Sequence, residues 1–202
     1  WKNGGSEWMQ WGSDLDGENA NDKFGHHVDG STSGEYNIIG ASEYDGGKGK
    51  VYIYNYAGGV WSSFGTQGSE FTGVNANDNL GDAVTIAGDA TVIAFSGSGL
   101  GDGEVTVMQY NSGTDTWDQV NLSMTGKETD ITVQYPTGTQ SPVVTHTTDA
   151  LFGASVALAS DATSSAVIAI GAPSHDISGG NENIGYARTY ENTTIFFTNN
   201  CF

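Results

Sequence analysis

The sequence predicts an all-β fold: three four-stranded antiparallel repeats plus one orphan N-terminal strand. Two observations carry this. Three apolar-Gly pairs, Phe24-Gly25, Leu80-Gly81 and Phe152-Gly153, share the same downstream pattern. The runs between these marks are short and strand-like, Gly, Asn, Asp and Ser cluster between them, and no convincing 3.6-residue apolar stripe occurs.

Residues 1–23 read as an orphan outer strand and linker, because Trp8-Met-Gln-Trp11-Gly12 aligns with Trp61-Ser-Ser-Phe64-Gly65. Residues 24–72 form the first unit. Asn19-Ala-Asn-Asp-Lys-Phe24-Gly25 leads to Ile38-Ile-Gly-Ala-Ser42, then to the alternating run Val51-Tyr-Ile-Tyr-Asn-Tyr56, then to Trp61. Residues 73–126 form the second unit and the start of a linker, with Asn75-Ala-Asn-Asp-Asn-Leu80-Gly81, Val92–Ser96, Gly103–Val107 and Trp117. Residues 127–148 are a Thr/Ser-rich insertion, a composition that suits O-glycosylation or a plain surface loop. Residues 149–202 form the third unit, with Phe152-Gly153, Val167–Ile170, Gly185–Tyr190, and Phe196 where the others carry Trp. Four short strands per unit of roughly 50 residues is the pattern of a β-propeller blade. In that setting the ring of each Phe-Gly pair would wedge between neighbouring blades, and the glycine would let the innermost strand come close to its neighbours.

These units resemble FG-GAP repeats, the propeller blades of integrin α-subunits and of many secreted bacterial and algal proteins. The resemblance rests on Phe24-Gly25 with Gly40-Ala41-Ser42, on Leu80-Gly81 with a degenerate Phe95-Ser96-Gly97, and on Phe152-Gly153 with Gly171-Ala172-Pro173. The Trp near each blade end is closer to the Trp-bearing version of the family. The resemblance implies an extracellular or cell-surface protein and a calcium-binding acidic loop within a blade. Here the oxygen-rich segment carrying Asp14, Asp16, Asn19 and Asp22 precedes Phe24 instead of following it, so calcium is a candidate cofactor at a displaced position. The other reading of that segment is a solvated Asn/Asp turn.

Charge narrows the partners. With 24 acidic against 6 basic residues, the formal charge of −18 opposes nucleic-acid binding and docking on an anionic membrane. No apolar run is long enough for a membrane helix. The chain opens at Trp1 without a basic-then-apolar leader, which reads as a processed product or an excised piece.

No catalytic residue is assigned. The GxSxG and HExxH patterns are absent, Arg188 is the only arginine, and so many carboxylates make any one pair uninformative. His26 and His27, adjacent in a strand, are expected on opposite faces. Asn121 and Asn192 head glycosylation sequons. Cys201, the single cysteine, suggests a disulfide to another chain or to a segment outside this one, or a quiet buried thiol.

Three blades and a lone strand do not close a ring, since propellers take about four to eight blades. Trp8, Trp11, Phe196 and Phe197 are therefore expected at assembly surfaces, where the chain joins copies of itself through edge strands and blade faces. The function expected is a non-catalytic structural or adhesive repeat protein, forming a fibre or a larger propeller. A ligand-binding propeller that recognises protein or carbohydrate, with glycans or surface proteins as partners, is the second reading; a propeller glycosidase or lyase is the third.

Overall fold

The computed structural model describes residues 8–65, 69–97, 99, 103–119, 124–125, 151–160, 166–174 and 185–192. Within them the chain is all-β, with three antiparallel sheets and one short helical turn at Tyr44–Gly47. None of the described helical residues forms a span long and apolar enough to cross a membrane.

Sheet 1 is a meander of β1 (Phe24–Gly30), β2 (Tyr36–Ala41), β3 (Lys50–Ala57) and β4 (Val60–Ser63). Gly58 and Gly59, at φ 63° and 92°, make the two-residue turn that closes the β3–β4 hairpin. A short fifth strand, β5 (Glu70–Thr72), pairs with the first half of β3 while β4 pairs with its second half. Sheet 2 repeats this plan with β6 (Leu80–Ile86), β7 (Val92–Gly97) and β8 (Glu104–Asn111). Its outer edge is again shared: β9 (Thr116–Gln119) pairs with the second half of β8 and β10 (Met124–Thr125) with the first. Sheet 3 holds β11 (Ser155–Ser160), β12 (Ala166–Ala172) and β13 (Tyr186–Asn192).

The sheets stack in chain order, with β6 against β1 and β2, and β11 against β6 and β7. The core lies between them. Ile38, Val51 and Ile53 of sheet 1 meet Leu80, Val84, Ile93, Phe95 and Trp117 of sheet 2. Ala94 and Val105 of sheet 2 meet Phe152, in the turn before β11, and Ile168 and Ile170 of sheet 3. Sheet 2 is covered on both sides, which is why β7 is buried at every position.

The repeated glycines set the spacing of the stack. Gly25, Gly81 and Gly153 all have left-handed φ, 83°, 93° and 89°; the first two open the bulges at the start of β1 and β6, and Gly153 leads into β11. A Cβ on Gly81 would lie 2.8 Å from the Lys50 carbonyl oxygen and 3.0 Å from Gly40 Cα, so two backbones touch there. A hydrogen-bond line also crosses the three first strands. The Leu158 amide donates to Thr85 Oγ1 (3.2 Å), and the Thr85 hydroxyl and the Ile86 amide donate to Asp29 Oδ2 (2.8 and 3.0 Å).

Two expectations are corrected. Residues 8–23 join no ladder, so the predicted N-terminal strand around Trp8–Trp11 is held by side chains instead. The reason is that the strand equivalent to it, β4, pairs within its own sheet, and sheet 1 has no vacant position on that edge. The histidines also differ: the bulge breaks the two-residue alternation, and the rings of His26 and His27 lie with centroids 5.3 Å apart.

Candidate assembly faces and the segment that precedes sheet 1

The three Phe-Gly positions are equivalent in backbone and unequal in surroundings. Phe152 is fully buried and Leu80 is 9% exposed, each pressed on the sheet before it. Phe24 is only half-buried, with its ring edge-on to Tyr52 at 5.2 Å. Gly81 and Gly153 each have a neighbour within 2.8 Å of the Cβ position, whereas Gly25 has none within 4 Å. Val28, four residues past Phe24, is 62% exposed, while Val84 at the same place in sheet 2 is 5% exposed. One face of sheet 1 thus carries the residues of a sheet-to-sheet contact, with no sheet on it among the described residues.

The segment leading into β1 lies beside that face. Trp11 stacks on Tyr56 with centroids 5.0 Å apart, and the Trp61 indole N–H donates to the Trp11 carbonyl oxygen at 2.8 Å. Phe64 treats sheet 2 the same way: it packs on Tyr110 at 4.5 Å, and Trp117 donates to its carbonyl at 3.2 Å. Gly12 and Gly65 follow, each close to the Cδ1 of that Trp. Trp8 and Met9 are 89% and 77% exposed. Trp61 and Trp117, the counterparts of Trp8, pack on Tyr56 and Tyr110 of their own sheets, and such a partner for Trp8 is missing among the described residues.

Of the calcium candidates, Asp22 is buried and accepts from the Asn19 amide (3.1 Å) and Asn19 Nδ2 (3.0 Å). Asp78 does the same for Val74 and Asn75. These carboxylates cap the turns that carry left-handed Asn21 and Asn77, which gives the repeated Asn-Ala-Asn-Asp a structural role. Asp14 accepts from Gln10 at 2.8 Å, and Asp14 and Asp16 are exposed. Among the described residues, no group of three or more His, Cys, Asp or Glu is placed to hold a metal ion. Asn192 is the last residue of β13. Asn121, Phe196, Phe197, Cys201 and the 127–148 insertion lie outside the described residues.

The sequence reading missed the charged cluster that ties the segment down. Lys50, buried at the start of β3, pairs with Glu18 of the segment and with Glu70 of β5, the latter at 2.8 Å. Tyr44 and Tyr52 also donate to Glu18, at 3.1 and 3.0 Å. Burial pulls the Lys50 ammonium down, but its bonds to Glu18 and Glu70 outweigh this and hold it above the ordinary lysine range. The Lys50 hydrogen bond holds Glu18 below the usual carboxylate range against a smaller opposing effect of burial. Burial and the bond to Glu18 push Tyr52 well up. The only available signal was that Lys50 stands where the other units have Glu104 and Tyr186.

A pH response follows. A carboxylate lowered by folding contributes stability above its unfolded pKa, about 4.3, and loses it as pH falls through the folded value. Lys50, raised by folding, contributes throughout that range and loses its contribution only above the lysine range. Glu18 is 44% exposed, so the loss is a local loosening and not global unfolding. Amide exchange at residues 14–23, corrected for intrinsic rate, is expected to quicken severalfold from about pH 6 to about pH 3. Lys50→Met is expected to remove most of that pH dependence.

No protein-family model and no curated protein matches this sequence, so the reading of the site rests on its geometry.

Proposed function

We propose that the chain is a non-catalytic, extracellular structural repeat protein of the FG-GAP type, whose three sheets are β-propeller blades and whose partner is a further copy of itself. One observation carries this: the open face of sheet 1, where Phe24, Gly25 and Val28 repeat the residues that bury Leu80, Gly81 and Val84 against another sheet. Apolar positions already shaped for a sheet favour association with one. The three sheets of the described residues are below the roughly four to eight that close a propeller, and a head-to-tail join of copies supplies more. The most strongly perturbed groups in the candidate region, Lys50 and Tyr52, serve an ion-pair tether, which supports a structural role.

The test is light scattering on the purified 202-residue protein over a wide concentration range. The expected result is reversible growth in mass with concentration, abolished by Val28→Lys while the melting temperature holds. A compact monomer at every concentration overturns the proposal.

A further inference from the structure

The outer edges of the first two sheets share one design. On β3, Trp61 of β4 stands opposite Tyr56, and Glu70, Phe71 and Thr72 of β5 stand opposite Tyr52, Val51 and Lys50. On β8, Trp117 stands opposite Tyr110, and Met124 and Thr125 stand opposite Val105 and Glu104. Strand β13 is the same element in sheet 3. Gly49, Gly103 and Gly185, all left-handed, precede the three strands, and Gly40↔Val51, Ser96↔Val105 and Gly171↔Ala187 are matching pairs. Among the described residues β13 pairs with β12 alone.

The chain carries a second segment of the type that fills such an edge. Asp14-Leu-Asp-Gly-Glu-Asn-Ala-Asn-Asp-Lys-Phe-Gly25 runs parallel to Glu70-Phe-Thr-Gly-Val-Asn-Ala-Asn-Asp-Asn-Leu-Gly81 without a gap. Glu70–Thr72 is strand β5; Asp14–Asp16 joins no ladder. Trp8-Met-Gln likewise matches the Trp61-Ser-Ser of β4 and joins none.

We infer that residues 8–10 and 14–16 of one copy pair with β13 of a second copy, in the register that sets Asp14 opposite Arg188. The inference rests on the self-assembly reading above and specifies its contact. Carrying the register of sheet 1 across puts Asp14, Leu15 and Asp16 opposite Arg188, Ala187 and Tyr186, and Trp8 opposite Asn192. Charge favours this occupant. The only arginine in a chain with 24 acids comes to lie opposite Asp14 and diagonal to Asp16, much as Lys50 bonds Glu70, its diagonal neighbour in sheet 1. The neighbouring positions agree. Gly25, open in one copy, would meet Gly171 of the next, as Gly81 meets Gly40. The amide of Gly30, equivalent to the amides of Ile86 and Leu158, would face Ala157, which has no side-chain acceptor; that amide is already satisfied by Asp29 Oδ1 at 2.8 Å.

Two experiments decide it. In a Cys201→Ser background, Leu15→Cys and Ala187→Cys are made in separate proteins, mixed and oxidised. Directly opposite residues of an antiparallel ladder lie close enough for a disulfide, so the mixture is expected to cross-link across the two variants at least tenfold faster than either alone. Secondly, Asp14→Arg and Arg188→Asp are each expected to weaken association about tenfold or more, and the double variant to restore it. Asp14 is exposed, so its replacement leaves the monomer folded. Association that persists without mixed cross-linking or charge rescue overturns this register and leaves the self-assembly reading standing. That outcome includes pairing of β13 by its own chain's 194–198 run. Absence of association in the unmodified protein overturns both.

Discussion

Gly40→Ala is expected to destabilise the protein by about 3 kcal/mol or more, measured by urea unfolding, at the top of the usual range for overpacking. The added Cβ would stand 2.1 Å from the Gly81 carbonyl oxygen, 3.0 Å from its carbonyl carbon and 3.2 Å from its Cα. All three are backbone atoms, so no side chain can rotate away. Sheet 2 must withdraw from sheet 1, and the contacts of Leu80 with Ile38, Val51 and Ile53 weaken with it. Gly25→Ala is the matched comparison. Its φ of 83° imposes the left-handed cost of about 1–2 kcal/mol, but nothing lies within 4 Å of the new methyl group. The isolated chain therefore tolerates Gly25→Ala better than Gly40→Ala. Equal effects would show that the sheet contact is looser than the geometry indicates.

Phe152→Ala is expected to cost about 3–5 kcal/mol, the range for truncating a fully buried aromatic ring. Phe152 has no exposed surface and fills the space among Val105, Ile168, Ile170 and Ala172. Its loss uncouples sheet 3, and calorimetry should show the transition broaden or split as sheet 3 melts ahead of the rest. Phe24→Ala, at the equivalent but half-buried position, is expected to cost the monomer about 1–2 kcal/mol, in proportion to its smaller burial, and to affect association more. A Phe152→Ala protein that melts as one unit at the original temperature refutes this account.

Strand content was legible in the sequence because period-two runs such as Val51–Tyr56 and bounding glycines are local signals; β3 and the Gly58-Gly59 turn follow from them directly. The repeat frame was legible because left-handed glycines at one position in each unit obey a backbone demand that no other residue meets cheaply. Strand β5 was not legible. Glu70-Phe71-Thr72 is too short to show a period, and it pairs with a strand twenty residues earlier, a non-local choice. For the same reason the parallel between Asp14–Asp16 and Glu70–Thr72 does not stand out along the chain. The Glu18–Lys50–Glu70 cluster brings together side chains from three separate segments, and spacing along the chain carries no trace of it.

The line from Leu158 through Thr85 to Asp29 has an arrow. Every donor sits on the later strand and every acceptor on the earlier one. A join that continued this order would set the β1 side of one copy against the sheet 3 side of another, two unlike surfaces. Such a join is not two-fold symmetric, and any extended object built from it has distinguishable ends, one that receives new subunits through its first strand and one through its last.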